Sequence, residues 1–410
     1  MKKTDVFIGL FTATLFSAYI YLDYLDISNS ILETIFGLLS IYLILTLDKK
    51  ALFFTGFFIG VLWFFWIGFS MQYYGFVYLI PFVTILFGLA YALFFYLIGY
   101  SQNIWLRGFL LIGINLIEPF GFNWFKPQII FINTDIGTEL WQFGAVVIAM
   151  VLIVEMLKRK KYILIIPAIS LIFLASNFHN LNYDKNLPFK IKVVETKVDQ
   201  NEKWLKRNQK DIVKMNIDNI KLAIKGGYQL VILPESTFPL FINSHPDIIN
   251  TLLHLSKKIS ILTGGLYSEN GEYFNASYLF QNEDFKVAKK VVLVPFGEYI
   301  PLPKFLSNWI NQIFFDGVQD FTPASEPTDF KIGGELFRNA ICYEASSEKM
   351  YNNAPKFMIA ISNNGWFLPS IEPTLQKLLI QHFSNIYGVT VIHSSNMAGT
   401  DIIYPKFIGD

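Results

Sequence analysis

Val231-Ile232-Leu233-Pro234-Glu235-Ser236-Thr237 is a short aliphatic run that stops on a proline and a carboxylate. Such a run, closed by Pro and polar residues, reads as a buried strand ending in a turn. Just upstream, Val213, Ile217, Ile220 and Ile224 recur at i, i+4, i+7 and i+11 before Gly226 and Gly227, which predicts a helix over 209–225 that ends at the glycines. The same alternation spreads outward. Short β-branched runs at 191–194, 230–233, 259–262, 291–294, 339–342, 357–362 and 390–393 alternate with polar helical stretches, so the chain from Phe189 onward is expected to be an α/β or layered αβ fold. Several of these strands end in polar or reactive residues, which is where such folds build sites.

Before residue 179 the pattern is different. The chain has 410 residues, 53% of them hydrophobic and 16% charged, and the apolar ones crowd into long runs in the first 178. About 20 mostly apolar helical residues cross a bilayer, and seven segments are candidates: 6–22, 30–46, 51–69, 76–99, 105–118, 139–157 and 162–176. The fifth is the weakest, being short and holding Asn115 and Glu118. The first reads as a retained span, because no small-residue cleavage site follows it and a second apolar segment comes at once.

Basic residues accumulate in cytoplasmic loops. Lys2 and Lys3, Lys49 and Lys50, Arg107, and Lys158 through Lys161 fall in alternate connections, whereas the intervening ones carry Asp23, Asp26 and a single Lys126. Seven crossings with the N-terminus inside then make 1–178 a multi-pass membrane domain, in a bacterium-like cell one of the inner membrane. The same count places 179–410 on the periplasmic or outer face. A fifth segment that did not cross would invert the sides, against which Lys158 to Lys161 argue, since they would then be external. A net charge of +1 and the lack of any longer basic stretch argue against a nucleic-acid partner. One cysteine excludes an intrachain disulfide and a multi-cysteine metal site, and no metal or cofactor is expected.

Three segments of the second half carry possible chemistry: Glu235 after its strand, Lys290 within Lys289-Lys290-Val291-Val292-Leu293-Val294-Pro295-Phe296-Gly297-Glu298-Tyr299, and the lone Cys342 at the end of Asn339-Ala340-Ile341-Cys342-Tyr343-Glu344. Each alone has a structural reading: a turn or cap carboxylate, a solvated lysine, a small buried thiol. Together they are more specific. A thiol must lose its proton to attack a carbonyl, a carboxylate can take that proton, and a lysine can steady the oxyanion.

In this order the segments resemble the nitrilase or carbon-nitrogen hydrolase superfamily with its Glu-Lys-Cys triad, and the spans in front narrow the resemblance to the apolipoprotein N-acyltransferase family. Lys290 through Glu298 is similar to that family's Lys-x-x-Leu-Val-Pro-Phe-Gly-Glu, and Cys342 to Glu344 to its Cys-Tyr-Glu. Pro234-Glu235 with Pro239, Ile361 through Phe367, Gln200 with Lys203-Trp204, and Gly121-Phe122-Asn123-Trp124 resemble further family stretches. The resemblance implies a nitrilase-like αββα sandwich after the membrane domain. It also implies transfer of an acyl chain from a phospholipid, through a thioester on Cys342, to the α-amino group of an apolipoprotein's diacylglyceryl cysteine. By the same resemblance Glu235 is the base, Lys290 the oxyanion stabiliser and Cys342 the nucleophile. Glu298 orients the lysine or the incoming amine, Tyr343 and Glu344 shape the pocket beside the thiol, and Trp204 either meets lipid or packs.

Phe305, Leu306, Trp309, Ile310, Ile313 and Phe314 predict an amphipathic segment over 303–317 that either lies on the bilayer or packs into the core. The resemblance weakens after Phe367. Glu372-Pro373, Gln376 and Gln381-His382-Phe383-Ser384-Asn385 stand where the family shows a His-containing Gly-Pro segment and a helix bearing Arg and Glu. The sequence also reaches Asp410 without the family's usual final membrane helix. Two other readings therefore stand beside the acyltransferase: a membrane-bound amidase in which water resolves the thioester, and a catalytically degenerate paralogue acting as a membrane scaffold.

Overall fold

The computed structural model describes residues 2–177, 185–303, 307, 312 and 320–406. These fall into two compact units. One comprises Met1–Pro119, Asn123–Asn180 and Phe367–Leu378; the other comprises Phe120–Phe122, Leu181–Trp366 and Leu379–Asp410. The division expected at 178/179 thus gains two exchanged segments, because residues far apart in sequence fold with the opposite half. The amphipathic segment predicted from Phe305 to Phe314 lies outside the described residues.

The first unit is helical: α1 (Lys3–Tyr24), α2 (Ser30–Thr46), α3 (Lys49–Phe64), α4 (Ile80–Tyr100), α5 (Ile104–Gly113), α6 (Leu140–Arg159) and α7 (Ile165–Leu174). With their 3₁₀ extensions, four are long and apolar enough to cross a bilayer: Lys3–Tyr24, Lys49–Tyr74, Val77–Tyr100 and Leu140–Arg159. The other three candidates are shorter apolar helices, Ser30–Thr46, Ile104–Leu116 and Tyr162–Leu174. Lipid-solvated helices associate through close backbone approach at small residues. Gly56 and Gly60, one turn apart on α3, are such residues: a Cβ there would come within 2.3 Å of the Tyr91 carbonyl and 2.5 Å of the Phe87 carbonyl on α4.

Arg107 near the start of α5 is buried, and its guanidinium donates to the carbonyls of Leu45 and Leu47 at the end of α2, of Gly99 on α4 and of Ser101. By Phe131 the chain has moved along α2 toward its start, since the Phe131 ring packs on Gly37. The α6–α7 hairpin closes at its other end through an antiparallel bridge between Ile136 and Ser176, with Gln142 Nε2 donating to Asn177 Oδ1 at 2.8 Å.

The second unit is a sandwich of two sheets. One runs β1 (Ile191–Val193), β2 (Leu230–Ile232), β4 (Ser260–Glu269), β5 (Glu272–Gln281) and β6 (Asp284–Lys289), with β3 (Phe238–Phe241) also on β4. The other runs β11 (Asp401–Ile403), β10 (Thr390–Asn396), β9 (Phe357–Asn363), β8 (Glu335–Ile341) and β7 (Asp329–Ile332). Leu230, Ile232, Leu262 and Leu279 of the first sheet share one buried cluster with Phe337, Ile341, Ile359 and Ile392 of the second, so the inner faces form the core. Outside the first sheet, Ile220 and Ala223 of α9 (Lys206–Lys225) and Ile248 and Leu252 of α10 (Pro246–Ser256) cover Val231, Ile261 and Tyr278. Outside the second, Ile380 and Phe383 of α11 (Glu372–Tyr387) cover Met358, Ala360 and Val391. The layering is α-β-β-α, as expected.

Of the predicted strands, 291–294 is the exception: β6 stops at Lys289 and these residues form no strand. The Val291 and Val292 N–H groups are taken by the Glu344 carboxylate and that of Val294 by Glu298. Side-chain acceptors occupy the donors that a strand ladder would use, and this frees the segment to turn at Pro295.

Candidate active site

The parallel strands β2, β8 and β9 end on the same side of the sandwich, and the reactive residues stand just past those ends. Glu235 lies in the turn after β2, with Ser236 at φ 48° and Thr237 Oγ1 bonded back to the Pro234 carbonyl. This turn lies directly on β4. A Cβ on Gly264 would come within 2.6 Å of Ser236 N and 2.7 Å of Glu235 Cα, so only glycine leaves room for the carboxylate's backbone there.

Lys290 follows β6 at once and is 1% exposed. Its backbone N–H reaches the Asn275 carbonyl at 2.9 Å, and Nζ meets Glu298 Oε2 at 2.8 Å. Burial works to lower this ammonium's pKa. The carboxylate of Glu298 first, then Glu235, Cys342 and Glu344, outweigh burial and hold it above the ordinary lysine range. The amine is therefore a fixed cation. Cys342 follows β8 with a positive φ of 56° and is half-buried. A non-glycine residue held there costs about 1–3 kcal/mol, and such strain concentrates at functional positions.

Asn275 on β5, which no sequence pattern singles out, joins the carboxylates. Its Nδ2 donates to Glu235 Oε1 at 2.7 Å and to Glu298 Oε1 at 2.8 Å. The result is a continuous buried chain of Glu235, Asn275, Glu298 and Lys290, with the Lys290 charge also felt at Cys342. The only early sign of Asn275 was its polarity inside Tyr273-Phe274-Asn275-Ala276, since a buried amide in a strand needs partners.

The remaining expected site residues are placed as follows. Glu344 is 1% exposed, and its oxygens accept from the backbone N–H of Val291, Val292 and Ile341. It ties the segment after Lys290 to the strand before Cys342. Burial pushes its carboxyl up to about 7 against the nearby Lys290 and these donors. Tyr343 is buried, stacks on Phe122 with ring centroids 6.1 Å apart, and donates its hydroxyl to the Gly121 carbonyl at 3.2 Å. Trp204 is 38% exposed at the end of α8 (Gln200–Lys203). In the divergent stretch, Gln381 Nε2 donates to Asn385 Oδ1 and to the Tyr404 carbonyl, both at 2.8 Å, so these amides pin the chain that follows β11.

Chemically, the arrangement provides a strained, half-buried thiol beside a buried carboxylate held by a neutral donor and a buried ammonium. That set can form and resolve a covalent acyl intermediate.

Residues 3–176 match the integral membrane domain of apolipoprotein N-acyltransferases. Over 400 residues the chain is 36% identical to the apolipoprotein N-acyltransferase of Wolinella succinogenes, covering 97% of this chain and 95% of that protein. It is 34% identical to the Helicobacter pylori protein of the same name over 382 residues, 92% of this chain and 89% of the other. Among solved structures, an amidase of the nitrilase superfamily from Nesterenkonia AN1 is 12% identical with a TM-score of 0.39, over 55% of this chain and 82% of that one. On the strength of the near-complete matches, the chain belongs to the apolipoprotein N-acyltransferase family.

Proposed function

We propose that the protein is an apolipoprotein N-acyltransferase working through a Glu235-Lys290-Cys342 triad by a ping-pong mechanism. The observation that carries the reading is the buried chain Glu235–Asn275–Glu298–Lys290 beside the strained Cys342, in a chain 36% identical to a relative of that name. In the first half-reaction Glu235 takes the thiol proton while Cys342 Sγ bonds to a phospholipid acyl carbon. Lys290 steadies the oxyanion, the ester C–O bond breaks, and the lysophospholipid oxygen leaves with the proton from Glu235. In the second, the α-amine of a diacylglyceryl cysteine bonds to the same carbon and the C–S bond breaks. The amine proton returns by way of Glu235 to the sulfur. Glu298 and Asn275 hold the lysine and the base at fixed separation throughout.

The same reading sets the catalytic unit on the outer face of a bacterial cytoplasmic membrane. The Arg107 staple supports it, because it ties the α4–α5 connection to the end of α2, beside Lys49 and Lys50. The packing of Phe131 on Gly37 is in keeping with it, since between Arg107 and Phe131 the chain has travelled from the end of α2 back to its middle, the direction in which a crossing fifth segment runs.

Intact-mass analysis of protein purified with phospholipid tests the chemistry. An acyl adduct on Cys342 is expected, labile to neutral hydroxylamine and discharged in one turnover by a diacylglyceryl lipopeptide with a free amine. Glu235→Gln and Lys290→Met should each slow its formation roughly 10²–10⁴-fold. Decay to free fatty acid at a rate indifferent to the lipopeptide would make the protein a lipid hydrolase instead.

A further inference from the structure

Among the described residues Lys203 is the second buried lysine of the catalytic unit, and no step of the proposed mechanism uses it. It is 2% exposed, and its Nζ donates at 3.1 Å to the main-chain carbonyl of Glu235. Burying an ammonium is costly unless its charge is used nearby. Lys290 is already engaged by Glu298 at 2.8 Å, whereas the charged groups acting on Lys203 are Glu235 and Cys342. Burial still dominates, lowering its pKa to about 8 in spite of both.

The peptide that Lys203 holds is the strained one. Ser236, next in the chain, sits at φ 48°, a conformation that non-glycine residues adopt only when their surroundings impose it. The segment carrying the lysine is itself anchored by side-chain amides at the strand ends. Asn396 Oδ1 accepts from Thr196 Oγ1 at 2.8 Å and from Val198 N at 3.0 Å, Asn396 Nδ2 donates to Asn363 Oδ1 at 2.8 Å, and Asn363 Nδ2 donates to Gln200 Oε1 at 2.9 Å. The ammonium therefore hangs from a rigid frame built on β9 and β10 and reaches across to the turn after β2.

We propose that Lys203 is a positioning residue for the reaction: it fixes the turn that presents Glu235 and supplies a second buried positive charge that favours the Cys342 thiolate. The inference rests on the triad reading above. Its charge differs in purpose from that of Lys290, since it acts on the backbone of the base and on the resting thiol. The neighbouring Trp204 is exposed where Lys203 is buried.

Because Cys342 is the only cysteine in the chain, iodoacetamide alkylation followed by intact mass reports on it alone. The full-length protein in lipid nanodiscs is titrated from pH 5 to 10. Lys203→Met is expected to raise the apparent pKa of alkylation by about one unit, as loss of a nearby cation does, and to slow acyl-enzyme formation about 10–100-fold. Lys203→Arg should keep the alkylation profile near that of wild type. A folded Lys203→Met whose profile and acylation rate stay within about twofold of wild type overturns the proposal. If that variant does not fold, Lys203→Gln against Lys203→Arg decides: a shift in the first alone supports the proposal, and identical profiles overturn it. Glu235→Gln in the same assay separates the two levels. Normal acylation there sinks the triad assignment, whereas a crippled Glu235→Gln beside an unaffected Lys203→Met sinks only the role of Lys203.

Discussion

At the scale of single residues, the site depends on how three carboxylates, two buried and one partly buried, are kept apart. Asn275 donates to two of them, Glu235 and Glu298, at 2.7 and 2.8 Å. Removing a donor shared by two acids leaves both short of a partner and facing like charge. Asn275→Leu is thus expected to stay folded and to slow acyl-enzyme formation by roughly 10²-fold; a folded variant whose rate stays within about twofold of wild type would remove Asn275 from the site. Glu344 is the third acid. Its folded value of about 7 lies above the ordinary 4.5, so the native state binds the extra proton. Its contribution to stability is complete below pH 4.5 and is lost as pH rises through 7, a span of about 3 kcal/mol at 1.36 kcal/mol per unit. Melting curves of wild type and Glu344→Gln across that window should differ in slope by the Glu344 contribution, the His393 contribution being common to both. The strand ends at which Glu235, Lys290 and Cys342 stand were legible in the sequence because each closes or follows a recognisable run. Asn275 was not, because an amide inside a strand has no local signature, and its partners are 40 and 23 residues away.

At the scale of elements, the turn after β2 and the strand β4 must touch backbone to backbone. Gly264→Ala would put a methyl 2.6 Å from Ser236 N and 2.7 Å from Glu235 Cα, neither of which can rotate away. The turn then has to move, which overpacking data put at about 1–3 kcal/mol. A fall in thermal midpoint is expected together with loss of acyl-enzyme formation, while Gly113→Ala, with nothing within 4 Å of the new methyl, changes neither. Full activity in Gly264→Ala would show that the base tolerates displacement. Helix 209–225 and the strand at 230–233 were readable because their periodicity is local and one face is buried. The run at 291–294 misled for the same reason: its apolar residues look like a strand, but Glu344, some fifty residues on, takes the backbone donors that a ladder needs.

At the scale of the whole molecule, the orientation of the catalytic unit follows from the number of crossings. The described helices include four of full span length and three shorter ones, so length alone does not settle that count. In a Cys342→Ala background, Lys225→Cys on the exposed end of α9 should react with a membrane-impermeant maleimide in spheroplasts, whereas Lys160→Cys between α6 and α7 should not. The opposite pattern would invert the topology.

The sequence by itself determined that an apolar helical half precedes an α/β half, and that a glutamate, a lysine and a lone cysteine stand near strand ends in the second. Those properties are written in local period and composition, which short windows carry. Only the tertiary structure decided that Asn275 bridges two of the acids, that Glu344 clamps the backbone of the segment after Lys290, that Lys203 is buried under the Glu235 turn, and that Phe367–Leu378 folds with the membrane half. Each of these depends on groups brought together across long loops. The partner of a buried polar atom is set by where two sheets and their turns come to rest, and no pattern along the chain encodes that meeting.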